Sequence, residues 1–134
     1  MKIAICGSME FSKEMIDLKK QLELLGHSVI LPENAQQFAS GEFNISESAG
    51  MKIHGDLILN YYNKIKECDA VLIANFTKSG IENYVGGNGL IELAFGHVLN
   101  KKVYLLNPIP KMKYADEIQA IQPAILNGDF SKIQ

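Results

Sequence analysis

Ala70-Val71-Leu72-Ile73-Ala74 is a short apolar run, followed after a polar loop by Gly86-Gly87-Asn88-Gly89-Leu90-Ile91-Glu92-Leu93-Ala94-Phe95-Gly96. The first stretch has the length and unbroken apolar character of a parallel strand buried on both faces. The second passes from a Gly/Asn-rich loop into apolar residues at helical spacing. Strand, glycine loop and helix in that order predict an open α/β sheet, with the loop at the carboxyl ends of the strands, where ligands bind. A helix starting near Gly89 would hold Glu92 in its first turn, where outward-pointing amides favour an ionised carboxylate or a bound anion. The structural alternative is a capping box, with Gly89 as N-cap and Glu92 closing it three residues later.

Outward from this segment, strand and helix alternate along the whole chain. Ile3 to Cys6 reads as the first strand, with Gly7-Ser8 as the turn after it. Phe11, Met15, Leu18, Leu22 and Leu25 recur at helical spacing among charged residues, and Gly26 is suited to stop that helix. Ser28 to Leu31 is a second strand, closed by Pro32. Residues 33–50 carry few apolar anchors and predict a mobile loop or lid. Met51, His54, Ile58, Tyr61 and Ile65 predict a second helix ending near Cys68. Leu90, Ile91, Ala94, Phe95, Val98 and Leu99 make the helix after the glycine loop apolar on two sides, which predicts deep packing. Val103 to Leu106 is a fourth strand, and Asn107-Pro108-Ile109-Pro110 leaves it at the edge of the glycine loop. A last helix spans Ala115 to Ile121, stopped by Pro123, and Ala124 to Leu126 can add a fifth strand. The expected fold is therefore a single α/β domain over residues 1–134. It is a flavodoxin-like or Rossmann-like three-layer sandwich with a parallel sheet of four or five strands.

Composition narrows the function. The 134 residues are 47% hydrophobic and 21% charged, as in an ordinary globular domain. A formal net charge of −2 offers no general attraction to nucleic acid or anionic membrane. No apolar run reaches transmembrane length and no signal peptide is visible, so a cytoplasmic location is expected. Cys6 and Cys68 form no metal or redox motif, and His27, His54 and His97 are not spaced as a metal pair. Neither metal nor cofactor is expected. The Gly7-Ser8 turn lacks the three glycines of a dinucleotide fingerprint, and Glu10 beside it would repel a phosphate. His54 and Asp56, near the start of their helix, stay candidates for the strand-end site. Asp69, at the opposite edge, reads as a solvated or capping residue.

Cys6-Gly7-Ser8 on the first strand, Lys64-Ile65-Lys66 ahead of Asp69, and Gly89-x-x-Glu92-Leu93-Ala94-Phe95-Gly96 together resemble the nucleoside 2-deoxyribosyltransferase superfamily. That superfamily includes the 2′-deoxynucleoside 5′-phosphate N-hydrolases. The resemblance implies that Glu92 is a nucleophile that attacks the anomeric carbon, with Gly7 and Ser8 lining the sugar site. It also implies a homodimer or higher oligomer with sites near the interface, Tyr84 or the loop from Pro108 to Pro110 lying close to the neighbour. The chain departs from the family in three places. Ile3, Ala4 and Ile5 stand where a tyrosine usually positions the nucleophile. Tyr61 stands where an aspartate usually serves the leaving base. Met9-Glu10-Phe11-Ser12 replaces the arginine- and glycine-rich phosphate loop.

Retaining cleavage of a glycosidic bond needs a nucleophilic carboxylate and a proton donor. Glu92 is the expected nucleophile, and Asp56 or Tyr61 the expected donor, although a tyrosine with a pKa near 10 is a weak acid for that task. Water or a carboxylate of a partner subunit is the alternative donor. Gly86, Gly87, Asn88 and Gly89 complete the expected substrate site with Gly7 and Ser8. The expected function is cleavage or transfer at the N-glycosidic bond of a nucleoside or nucleotide. The alternative is a non-catalytic nucleoside- or nucleotide-binding module that keeps the pocket without the chemistry.

Overall fold

The computed structural model describes residues 1–44 and 56–134. The expected loop from 45 to 50, and with it Met51 and the candidate His54, lies outside the described residues. Five strands form one parallel sheet: β1 (Lys2–Cys6), β2 (Ser28–Ile30), β3 (Ala70–Ile73), β4 (Lys102–Leu105) and β5 (Ala124–Ile125). Their spatial order is β2-β1-β3-β4-β5, the flavodoxin-like order. The helices are α1 (Ser12–Leu24), α2 (Ala35–Ser40), α3 (Leu57–Lys66), α4 (Gly87–Val98) and α5 (Ala115–Ile121).

The order dictates the layers. Right-handed crossovers put the connection that steps one way from β1 on one face and those that step the other way on the opposite face. Side-chain alternation follows. Ile3, Ile5, Leu72 and Tyr104 pack with Met15, Leu18 and Leu22 of α1. Ala4, Cys6, Val71, Ile73 and Leu105 pack with Tyr61 and Ile65 of α3, Leu93 of α4 and Ile118 of α5. Every residue of β3 is buried, as its unbroken apolar run predicts. The C-terminal 3-10 turn, Phe130–Lys132, brings Phe130 and Ile133 onto the α1 face.

Local chemistry sets the ends of the elements. At Gly26 (φ +94°) the α1 terminus closes with His27 N–H donating to Leu22 O at 3.2 Å and Gly26 N–H donating to Glu23 O at 3.0 Å. That is the paired-bond stop a C′ glycine permits. Asp69 is exposed and accepts from Lys2 N–H at 2.8 Å, in keeping with a capping role at the amino edge of the sheet.

Three expectations need correction. Residues 33–50 are not wholly loop, because Ala35–Ser40 form α2, which packs on α1 and on the 3-10 turn Met9–Phe11. The Phe38 and Phe43 rings meet edge to face, so the segment has the apolar anchors its composition hid. Leu25 is 59% exposed, because α1 ends at Leu24 and the chain turns before Leu25 can continue the buried face. The helix after the glycine loop is not deeply packed all round: Ile91 and Val98 are 38% and 69% exposed.

Candidate functional site

The strand order reverses between β1 and β3, and their carboxyl ends stand in register, Cys6 opposite Ile73. Connections leaving adjacent strands to opposite faces open a crevice there. A cavity of about 240 Å³ fills it. Gly7 and Ser8 line it after β1, and Gly86, Gly87, Asn88 and Gly89 line it ahead of α4. Glu92 and Tyr61 also reach its wall. Among the described residues, the structure thus brings together all but one of the expected site residues. Asp56 is apart: it is exposed, caps α3 by accepting from Leu59 N–H at 3.4 Å, and does not line the cavity.

The glycine loop enters the helix three residues earlier than its sequence suggests. Gly86 is the N-cap, with extended backbone and no side-chain cap, and Leu90 N–H donates to Gly86 O at 2.9 Å. Glu92 therefore belongs to the second turn, beyond the first-turn amides, and a Gly89–Glu92 capping box does not form. The dipole argument for its charge weakens accordingly, since that effect fades within the first turn. Glu92 still reaches the cavity because helical side chains lean toward the amino end, over the turn before their own Cα. Gly96, the last residue of the quoted motif, serves packing instead. A Cβ there would meet Val71 Cγ2 at 2.9 Å and Val103 Cγ2 at 3.4 Å, so the glycine lets α4 press onto the sheet.

Beneath Glu92 lies a buried cluster of Cys6 and Tyr61. The Tyr61 hydroxyl donates to the Ile5 carbonyl, and the side chain is 5% exposed. Burial foremost, then the nearby Cys6 and Glu92, pushes the Tyr61 hydroxyl well above its ordinary pKa. A phenol held this way parts with its proton still less readily than a free one, which argues against its expected role as proton donor. The Cys6 thiol is likewise pushed well up, by burial first, then by the charge of Glu92 and a side-chain hydrogen bond to it.

Three further residues of the site carry no motif. Lys78, in the loop after β3, donates from Nζ to Ser8 Oγ at 3.1 Å. The same ammonium lies 3.8 Å from Glu10 Oε1 and 5.2 Å from the centre of the Tyr84 ring. Glu10 is thus paired with a cation, so the repulsion expected of it at the Gly7-Ser8 turn is offset. Glu33, after β2, supplies a second carboxylate to the cavity wall. Asn75 lies two residues beyond the end of β3 and is fully buried. Its amide donates to Asn107 O at 2.9 Å and Pro108 O at 3.2 Å, and its Oδ1 accepts from Asn107 N–H at 2.8 Å. These bonds tie the loops after β3 and β4 together, and the Tyr114 hydroxyl adds a bond to Val85 O just ahead of Gly86. A polar residue immediately after the apolar run Ala70 to Ala74 was the sequence signal for Asn75. Lys78 and Glu33 offered none, being ordinary charged residues in loops.

Among the described residues, no group of three His, Cys, Asp or Glu side chains is placed to hold a metal ion, and no helix is long and apolar enough to cross a membrane. Compared with protein-family models, curated proteins and solved structures, the chain matches none of them.

Proposed function

We propose that this domain cleaves or exchanges the N-glycosidic bond of a nucleoside or nucleotide, with Glu92 as the nucleophile. The observation that carries the reading is the position of Glu92 on the wall of the cavity at the β1/β3 reversal, between the Gly7-Ser8 turn and the glycine loop. A carboxylate there can attack an anomeric carbon and hold the sugar while the base departs. The amides of Gly87, Asn88 and Gly89, without a side-chain cap, are available to substrate oxygens. In this reading Glu33 hands a proton to the leaving base, because the Tyr61 hydroxyl is committed to Ile5 and Asp56 is outside the cavity. Lys78 gives the sugar end of the site a positive charge beside Ser8. We also propose that two copies associate through α3 and α4. Those neighbouring helices share the Tyr62–Phe95 ring contact and expose Ile58, Leu59, Ile91 and Val98.

The test is release of free base from a panel of nucleosides and their 5′-monophosphates by the wild type, Glu92→Gln and Glu33→Gln. Loss of a nucleophile costs several orders of magnitude, roughly 4–8 kcal/mol at about 1.4 kcal/mol per tenfold. Loss of a general acid costs about a hundred- to ten-thousandfold. Turnover that survives in Glu92→Gln removes the nucleophile role. If no substrate is turned over while nucleosides still bind, the domain is a binding module.

A further inference from the structure

Residues 76–84, between β3 and the glycine loop, fold back on themselves as an arm beside the cavity. Tyr84 N–H donates to Phe76 O at 2.9 Å, and Lys78 and Ile81 exchange two backbone bonds of 3.1 and 2.9 Å. Ser79 and Gly80 turn the arm with φ of +53° and +76°, the two positive values that a tight hairpin turn needs. Two residues of the arm, Lys78 and Tyr84, line the cavity. A lone hairpin is marginally stable, so the position of both depends on what holds the arm at its root. Phe76 rests edge to face on Phe11, ring centres 5.3 Å apart. The polar anchor is the buried Asn75. Its Nδ2 faces three carbonyls, Asn107 O at 2.9 Å, Pro108 O at 3.2 Å and Asn83 O at 3.3 Å, while its Oδ1 accepts from Asn107 N–H at 2.8 Å. Acceptors on one side and a donor on the other leave a single orientation for the amide.

We infer that Asn75 is a positioning residue: its side-chain amide fastens the arm of residues 76–84 to the loop after β4, so that Lys78 and Tyr84 stand preset on the wall of the substrate cavity. This inference takes the cavity as the substrate site from the reading above. The anchor works because its two ends differ. The loop after β4 leaves a strand bonded on both sides, and Asn107 Nδ2 closes the link by donating to Asn75 O at 3.1 Å. The arm end is weaker, for Asn83 stands in the left-handed region at φ +58° with its N–H on Thr77 Oγ1 at a long 3.4 Å. The bond from Asn75 to the Asn83 carbonyl fixes the residue immediately before Tyr84. Lys78 lies over the Tyr84 ring, 5.2 Å from its centre, and reaches Ser8 Oγ at 3.1 Å. Loss of the anchor lets the arm open and lowers the fraction of molecules ready to bind, and apparent affinity falls by that fraction. Glu92 is borne by α4, which packs on the sheet through Leu93 and the close approach at Gly96, so the chemical step is spared.

The test compares wild type with Asn75→Ala by hydrogen exchange and by base release. Exchange of the Ile81 and Tyr84 amides should quicken about tenfold or more relative to the amides of β1. A side chain serving stability alone would quicken both sets together, or β1 the more. In base release KM should rise about tenfold with kcat within about threefold, because a tenfold smaller competent fraction weakens binding by that factor. A double-mutant cycle tests the route. In Lys78→Met/Tyr84→Ala protein, adding Asn75→Ala should raise KM by no more than about threefold, since what the anchor positions is already gone. An undiminished rise in that background, a loss confined to kcat, or an unmoved exchange ratio overturns the inference. If the wild type releases no base, dissociation constants for adenosine and 2′-deoxyadenosine replace KM in the same cycle, and the same pattern upholds the anchor while the catalytic reading falls. If neither probe reacts or binds, the nucleoside reading falls and the exchange ratio alone decides. If Asn75→Ala fails to fold, the wild-type Asn75 side-chain amide decides. Its protons should exchange at the rate of Tyr84 N–H, because one opening exposes both, and a clearly different rate refutes the anchor.

Discussion

Replacing Tyr61 by Phe separates a structural phenol from a catalytic one. The ring stays and only the hydroxyl is lost, along with its bond to the Ile5 carbonyl. A net hydrogen bond is worth about 0.5–1.5 kcal/mol, and leaving its buried partner unsatisfied raises the cost to about 1–3 kcal/mol. For a chain of this size that is a fall in Tm of roughly 3–12 °C. Base release should stay within about tenfold of wild type, because the donated proton goes to a carbonyl and not to a leaving group.

The pH dependence supplies an independent check. The folded state holds the Tyr61 proton more tightly than the unfolded chain, burial being the main cause. At alkaline pH the unfolded chain therefore binds fewer protons, and stability falls as pH rises. The contribution of Tyr61 is fully present below about pH 10 and is lost above it, towards the raised folded pKa. Cys6 adds a similar loss that starts lower, near the ordinary thiol pKa of about 8.5. Tyr61→Phe keeps the thiol part and removes the phenol part. The gap in Tm between wild type and variant should accordingly be widest near neutrality and narrow between about pH 10 and 11. A variant as stable as wild type that loses a hundredfold or more in turnover would refute this reasoning and restore Tyr61 as the proton donor.

Gly96→Ala forces a methyl to within 2.9 Å of Val71 Cγ2, and a β-branched strand residue has little freedom to yield. Overpacking of about 1–3 kcal/mol outweighs the gain of about 1 kcal/mol in helix propensity, so urea denaturation should show a net loss. Gly87→Ala, with nothing within 4 Å of the new Cβ, should be neutral or slightly stabilising, and equal behaviour of the two variants would contradict the close approach. Light scattering should give a mass of about twice 14.8 kDa, and Val98→Glu on the exposed edge of α4 should halve it. A wild-type mass of one chain would remove the proposed association.

The fold was legible because its decisive features are local. An unbroken apolar run such as Ala70 to Ala74 has one comfortable environment, a strand covered on both faces, and the charged-apolar alternation of residues 11–25 has one, a helix against that sheet. Once the strands are parallel, the right-handed crossover and the single change of direction leave few arrangements. The errors fall where local signals compete. Residues 33–44 are polar enough to read as loop, yet Phe38 and Phe43 supply each other with a contact that no periodicity reveals. The exposed edge of α4 failed for the opposite reason: apolar residues on two sides state what a helix would bury, not whether a partner element is present.

The site was legible only in part, because its chemistry is assembled across the sheet. Glu92 was located by its place after a strand and a glycine loop, but the helix start was misplaced by three residues. Glycines at 86, 87 and 89 give no side-chain cap to mark it. The shift changes what surrounds the carboxylate. In a first turn its neighbours would be amides of its own helix; in the second turn they are a thiol from β1 and a phenol from α3. Neither is adjacent in sequence, and both read as core residues, since in composition a buried cysteine is a small hydrophobe. Alternation on β1 nevertheless puts Cys6 on the α4 face, and parallel register puts the end of β1 beside the end of β3.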